Sequence, residues 1–221
     1  MTKPNTTDIT VVLDRSGSMV SIAGDMRGGF DSFIRKQREI PGDCRVTLVQ
    51  FDDKYDTVYT ALPVHVVPPL VLEPRGSTAL LDAVGRTINA TGRRLHQMSE
   101  GDRPSQVLFV IITDGEENAS HEFLGDKVAT MTKHQREQYK WEFIYLGANQ
   151  DAFAVAQKMG ILRNAVTYQH HGDGAQAMFN ACSASIGSYR SGGEQLNDNL
   201  IGQAVYDAEL AKITGSTPPK I

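Results

Sequence analysis

Residues 106 to 112, QVLFVII, form the most apolar run in the chain, and DITVVLD at residues 8 to 14 is a second short run of the same β-branched kind. Runs of this length without polar alternation cannot leave one face in water, so each is predicted to be a strand covered on both faces. Only a sheet enclosed by helices satisfies that condition. The rest of the chain must therefore supply those helices.

It does so in alternation. Met19, Ile22, Ala23, Met26, Phe30, Phe33 and Ile34 fall on one face of a helix that Pro41 and Gly42 end. Residues 44 to 52 and 55 to 61, separated by Asp53 and Lys54, read as an antiparallel hairpin at a sheet edge. Five chain-breakers (Pro63, Pro68, Pro69, Pro74 and Gly76) make 62 to 76 a loop. That loop delivers Thr78 to a second helix burying Leu80, Leu81, Val84, Ile88 and Leu95. A helix over about 121 to 140, a strand at 141 to 146, a helix from near Asp151 and a strand at 165 to 168 follow. The last clear helix buries Ala175, Met178, Phe179, Cys182, Ile186 and Tyr189.

This alternation predicts a doubly wound α/β fold: a mostly parallel six-stranded sheet with helices on both faces. With strand order 3-2-1-4-5-6 and strand 3 antiparallel at the edge, the order reverses between the strands ending at Asp14 and Asp114. Ligands bind at such reversals, beyond the carboxyl ends of the strands. The expected domain spans residues 1 to 191. Residues 192 to 221, which carry RSGGEQLNDN in part and end in GSTPPKI, are read as a tail with one short helix around 202 to 213.

Composition narrows the function. At 221 residues, 40% of them hydrophobic, the chain can bury a core in one domain. A net charge of -4, with Lys and Arg scattered, gives no footprint for nucleic acid. No run approaches the ~18 apolar residues of a membrane span, and MTKPNTTD is unlike a signal peptide, so the expectation is a cytoplasmic protein with no membrane contact. Cys44 and Cys182 sit inside apolar patterns and are expected as small buried hydrophobes.

Three separated segments carry oxygen side chains suited to a small hard cation: Asp14, Ser16 and Ser18 in VVLDRSGSM, Thr78 in PRGSTALLDAV, and Asp114 in VLFVIITDGEEN. Taken singly, Ser18 or Thr78 could cap a helix and Asp114-Gly115 could be a turn. Their conjunction, each at a strand end or helix start, resembles the metal-ion-dependent adhesion site (MIDAS) of the von Willebrand factor A (VWA) family, and the likeness covers about residues 8 to 190. All five positions match the family's pattern. The resemblance implies Ser16, Ser18 and Thr78 as direct ligands through their hydroxyls, with Asp14 and Asp114 acting through water or as alternating ligands. It also implies Mg²⁺, with Mn²⁺ as a substitute, and a protein partner that offers an Asp or Glu to the ion. Intracellular stand-alone members of the family occur in bacteria and phages.

The chemistry is coherent. Mg²⁺ takes six oxygens and keeps several waters, so neutral hydroxyl ligands leave it electrophilic and one position open to an incoming carboxylate. Two other classes compete. A phosphohydrolase using Asp14 needs a carboxylate two positions later as acid/base, and position 16 is Ser. An accessory subunit of a chelatase-like machine would need a partner ATPase, as no G-x-x-x-x-G-K-[ST] loop is present. A non-catalytic interaction module is therefore the leading expectation. Glu116, Glu117 and Asn118 are read as rim or solvated charges, Asp52 and Asp53 as turn residues, and Asn149, Asp151, His170, His171 and Asp173 as loop or capping residues.

Overall fold

The computed structural model describes residues 2–148, 152–169, 172–192 and 196. Six strands form one sheet: β1 (Lys3–Asp14), β2 (Asp43–Phe51), β3 (Tyr55–Pro63), β4 (Pro104–Thr113), β5 (Glu142–Ala148) and β6 (Ala165–Tyr168). Their order is β3-β2-β1-β4-β5-β6. β1 pairs in parallel with both β2 and β4, while β2 and β3 are antiparallel. The order thus reverses at β1 and β4, as expected from the two apolar runs.

Alternation along these strands sorts side chains onto two faces. Ile9, Val11 and Leu13 of β1, with Val46, Leu48, Val110 and Ile112, face α1 (Ala23–Glu39) and α5 (Gly172–Arg190). Val12, Phe51, Phe109, Ile111 and Phe143 face α2 (Leu80–Gln97), α3 (Gly125–Tyr139) and α4 (Ala152–Lys158). Both layers are sealed by aromatics, Phe30 packing edge-on to Phe179 on one side and Phe109 stacking on Trp141 on the other. The two-sided burial explains why neither β1 nor β4 shows polar alternation at its centre.

The differences from the sequence reading are local. The first helix is preceded by a tight 3₁₀ turn, Gly17–Ile22, which keeps the serines at the sheet end before α1 begins. β1 starts at Lys3 rather than at residue 8, with a register shift before Thr7. The Pro-rich loop is not merely solvated, since Val64, Val67, Leu70 and Leu72 are buried and a 3₁₀ turn spans Val64–Val66. Cys44 and Cys182 are free and buried, and burial pushes their thiols up to about 11 and about 12. Among the described residues no helix is long and apolar enough to cross a membrane. The expected tail lies outside the described residues except for Gly192 and Leu196.

Candidate functional site

β1 and β4 both end at the reversal, and the chain leaves each strand into a short loop bearing candidate ligands. Asp14, the last residue of β1, is fully buried. Its Oδ1 accepts the Ser16 N–H at 2.6 Å and its Oδ2 accepts the Thr113 hydroxyl at 2.6 Å. That first bond turns the loop back on itself and aims Ser16 and Ser18 over the strand end. The two serine oxygens lie 3.0 Å apart, and Ser18 Oγ donates to Asp114 Oδ1 at 2.6 Å.

Thr78 comes from 60 residues away in sequence, just before α2. Its backbone is pinned on both sides by Asn118, whose Oδ1 accepts the Thr78 N–H at 2.9 Å and whose N–H donates to the Thr78 carbonyl at 3.1 Å. Gly115 shows where the three hydroxyls point. A Cβ built on it would lie 2.8 Å from Thr78 Oγ1, 3.4 Å from Ser18 Oγ and 3.5 Å from Ser16 Oγ. Three hydroxyl oxygens from two segments therefore converge on one point, which stays clear only because residue 115 has no side chain. All five residues singled out in the sequence are brought together here.

Two carboxyl groups, Asp14 and Asp114, stand beside the three hydroxyls. Burial pushes the Asp14 carboxyl up to about 6, against the pull of the Thr113 and Ser16 hydrogen bonds, and the Asp114 charge adds to the rise. Both donors to Asp14 are neutral groups, so its ionised form lacks a counter-charge from either. A small divalent cation at the point of convergence would supply one. The donors gathered here are hydroxyl and carboxylate oxygens, and such a set fits a divalent metal ion.

Several residues around the site were read differently in the sequence. Asp52 is not a simple turn residue: it is fully buried, its Oδ2 accepting Arg15 Nε at 2.9 Å and Arg75 Nε at 2.8 Å and its Oδ1 the Lys54 N–H at 2.6 Å. Burial alone would raise its pKa, but these hydrogen bonds from Arg75, Lys54 and Arg15 outweigh that and hold it below the usual carboxylate range. Asn118 is exposed beside Thr78, as a rim residue would be, but Glu117 is not a freely solvated charge. Glu117 accepts the N–H groups of Leu81, Ala119 and Ser120, while Asp82 accepts those of His121, Glu122 and Phe123. The loop after β4 is thereby laced to the start of α2. The arginines immediately before Ser16 and three residues before Thr78 were the available signal, with the Asp52-Asp53 pair as their complement. Asn149, Asp151, His170 and His171 lie outside the described residues, as does the side chain of Asp173.

No family model matches the chain, and no curated protein matches it in sequence. Solved structures do match it in fold. The vWF domain of the type V pilus tip protein Mfa5 from Porphyromonas gingivalis is similar with a TM-score of 0.59 at 10% identity, over 86% of this chain and 98% of that one. A von Willebrand factor type A protein from Catenulispora acidiphila gives 0.57 at 14% identity, over 85% of this chain and 43% of that one. Proximal thread matrix protein 1 from the mussel byssus, solved with a zinc-occupied MIDAS motif, gives 0.57 at 14% identity, over 82% and 46%. The chain spans less than half the length of the last two. At these identities the likeness is one of fold, and the fold is that of VWA domains.

Proposed function

We propose that this VWA-fold chain is a non-catalytic, metal-dependent protein-interaction module. Ser16, Ser18 and Thr78 would hold Mg²⁺ or Mn²⁺ through their hydroxyls, with Asp14 and Asp114 in support through water or as alternating ligands. The convergence of the three hydroxyls beside Gly115 carries this reading. When bound, the ion supplies an electrophilic position for a carboxylate from a protein partner. The chain's own part is to hold the oxygens in place and to keep that position accessible.

The surroundings of the crevice favour a protein over a small substrate. Val20, two residues after Ser18, is 65% exposed. It stands in the turn that carries Ser18, and an apolar side chain left exposed there is what an interface covers. Ser16, at the position where a phosphohydrolase carries its acid/base, cannot take up and return a proton as a carboxylate does.

The test begins with the ion alone. Titration of Mn²⁺ followed by electron paramagnetic resonance should show one saturable site in the wild type. Thr78→Ala should weaken it at least tenfold with an unchanged circular dichroism spectrum, because it removes one hydroxyl and one methyl group and leaves both backbone bonds to Asn118 in place. Pull-downs with and without chelator then read partner capture; capture that is the same in wild type, Thr78→Ala and chelator would place the interface elsewhere.

A further inference from the structure

The two loops that carry the hydroxyls are joined to each other through one side chain. We propose that Asp52 is a positioning residue for the cation cradle, acting through Arg15 and Arg75 to set the distance between Ser16 and Ser18 on one loop and Thr78 on the other. The inference rests on the reading of those hydroxyls as ion ligands.

Thr78 needs such a device. It ends a segment with Pro68, Pro69, Pro74 and Gly76, whose backbone belongs to no ladder of the sheet. Left alone, a loop of that kind loses little by shifting, and an octahedral ion tolerates little misplacement of its oxygens. The structure ties it down at every step. Arg15 N–H donates to the Phe51 carbonyl at 2.8 Å, Arg75 N–H to the Arg15 carbonyl at 2.7 Å, Gly17 N–H to the Gly76 carbonyl at 3.1 Å, and Ala79 N–H to the Asp52 carbonyl at 2.9 Å. The two guanidiniums then close on the same carboxylate oxygen of Asp52, one from each loop.

The position of Asp52 suits that task. Phe51 lies opposite Asp14 in the β1–β2 register, so the residue that follows it stands beside the end of β1 without entering the cradle. Both arginines also reach Asp56, Arg15 by a close ion pair and Arg75 at 3.7 Å, which braces the pair from the hairpin side. Gly76 has a positive φ of 69°, and a Cβ there would overlap the Asp53 carboxylate, so the Thr78 loop runs hard against this turn. Asp52 touches none of the three hydroxyls. Its influence on them passes through the Arg15 and Arg75 side chains into the backbone of the two loops.

A comparable ion pair elsewhere provides the control. Midway along β1, well before the strand end that carries the cradle, Arg94 makes two bonds of 2.8 Å to the buried carboxylate of Asp8. If Asp52 is only part of the scaffold, breaking either pair should act alike. If it positions the ligands, the two should part.

The experiment uses the full chain, with Mn²⁺ as the probe and thermal unfolding in chelator as the second reading. Arg75 is half-exposed, so Arg75→Ala should leave the metal-free melting temperature within a few degrees of wild type. It should nonetheless weaken Mn²⁺ binding at least tenfold, and Arg75→Lys should recover part of the loss. Asp52→Asn should weaken Mn²⁺ as much or more; should that variant fail to fold, Arg75→Ala decides. Asp8→Asn should lower the melting temperature and leave Mn²⁺ affinity within twofold. Wild-type affinity in Arg75→Ala would overturn the positioning role while the cation site stands. Absence of saturable Mn²⁺ binding in the wild type would overturn both.

Discussion

Asp14 and Asp52 are both fully buried carboxylates at neighbouring strand ends, and the protein holds them in opposite ways. Asp52 meets two guanidiniums and a backbone N–H, and its pKa is depressed in spite of burial. Asp14 meets a backbone N–H and a hydroxyl, and its pKa is driven up to about 6. Burial without a counter-ion penalises the charged form, whereas burial with two cations favours it. The contrast separates scaffold from site: charge that ties loops together is neutralised from within, and charge beside the hydroxyl cradle is not.

The largest consequence concerns Asp52. Asp52→Asn leaves the buried Arg15 with only the half-exposed Asp56 as a carboxylate partner, and breaking a buried pair by removing one side costs roughly 3–5 kcal/mol. Urea unfolding should show that loss at neutral pH. A loss below about 1 kcal/mol would mean that water screens the cluster and that the comparison with Asp14 fails.

The same substitution at the other carboxylate should act with opposite sign. Asp14→Asn removes a charge that the metal-free fold disfavours, and Thr113 Oγ, which already accepts the Gly115 N–H, can turn to accept from the new amide. A folded pKa of about 6 against an ordinary value of 3.8 corresponds to about 3 kcal/mol as an upper bound, so in chelator at pH 7.5 the variant should be more stable than wild type by up to that amount. The sign with pH follows. Asp14 has a raised folded pKa, so its stabilising protonation is fully present below 3.8 and is lost as pH rises through about 6. Asp52 and Asp82 have lowered values, so their contribution is present above 3.8 and lost as pH falls through their folded values. Wild type in chelator should therefore lose stability between about pH 4 and pH 6 from Asp14, and Asp14→Asn should abolish that slope while keeping the acid-side loss. An identical slope in both proteins would show that Asp14 is not the titrating group.

How far the sequence alone could reach follows from the same contrast. The loops that carry the hydroxyls were legible because QVLFVII and DITVVLD are too apolar to be anything but two-sided strands, and because D-x-S-x-S and Asp114 sit where such strands end and Thr78 where a helix starts. Strand order and the position of all five residues followed from that placement. Asp52, Arg15, Arg75, Asn118 and Asp82 were not legible as partners. Their pairings join residues 23 to 41 positions apart through polar atoms, and polar contacts leave no periodicity for a helix or strand pattern to expose. The buried Val64, Val67, Leu70 and Leu72 were hidden for a related reason, since prolines mark the segment as irregular without saying that it packs.

The smallest expected effect isolates burial from distance. Arg86 Nε lies 2.7 Å from Glu122 Oε2, closer than the 2.9 Å between Arg15 Nε and Asp52 Oδ2, yet both members of the Arg86 pair are about half exposed. Water at that surface already solvates each charge, and holding two long side chains together costs rotamer freedom that offsets most of the attraction. Glu122→Gln removes the charge but keeps the backbone N–H that donates to Asp82, so the lacing of the loop onto α2 survives. Stability should change by no more than about 0.5 kcal/mol in urea, and the difference should vanish at high salt. A loss approaching that of Asp52→Asn would show that contact distance, and not the removal of water, decides what these pairs contribute, and the distinction between the Asp52 cluster and the Asp14 cradle would lose its physical basis.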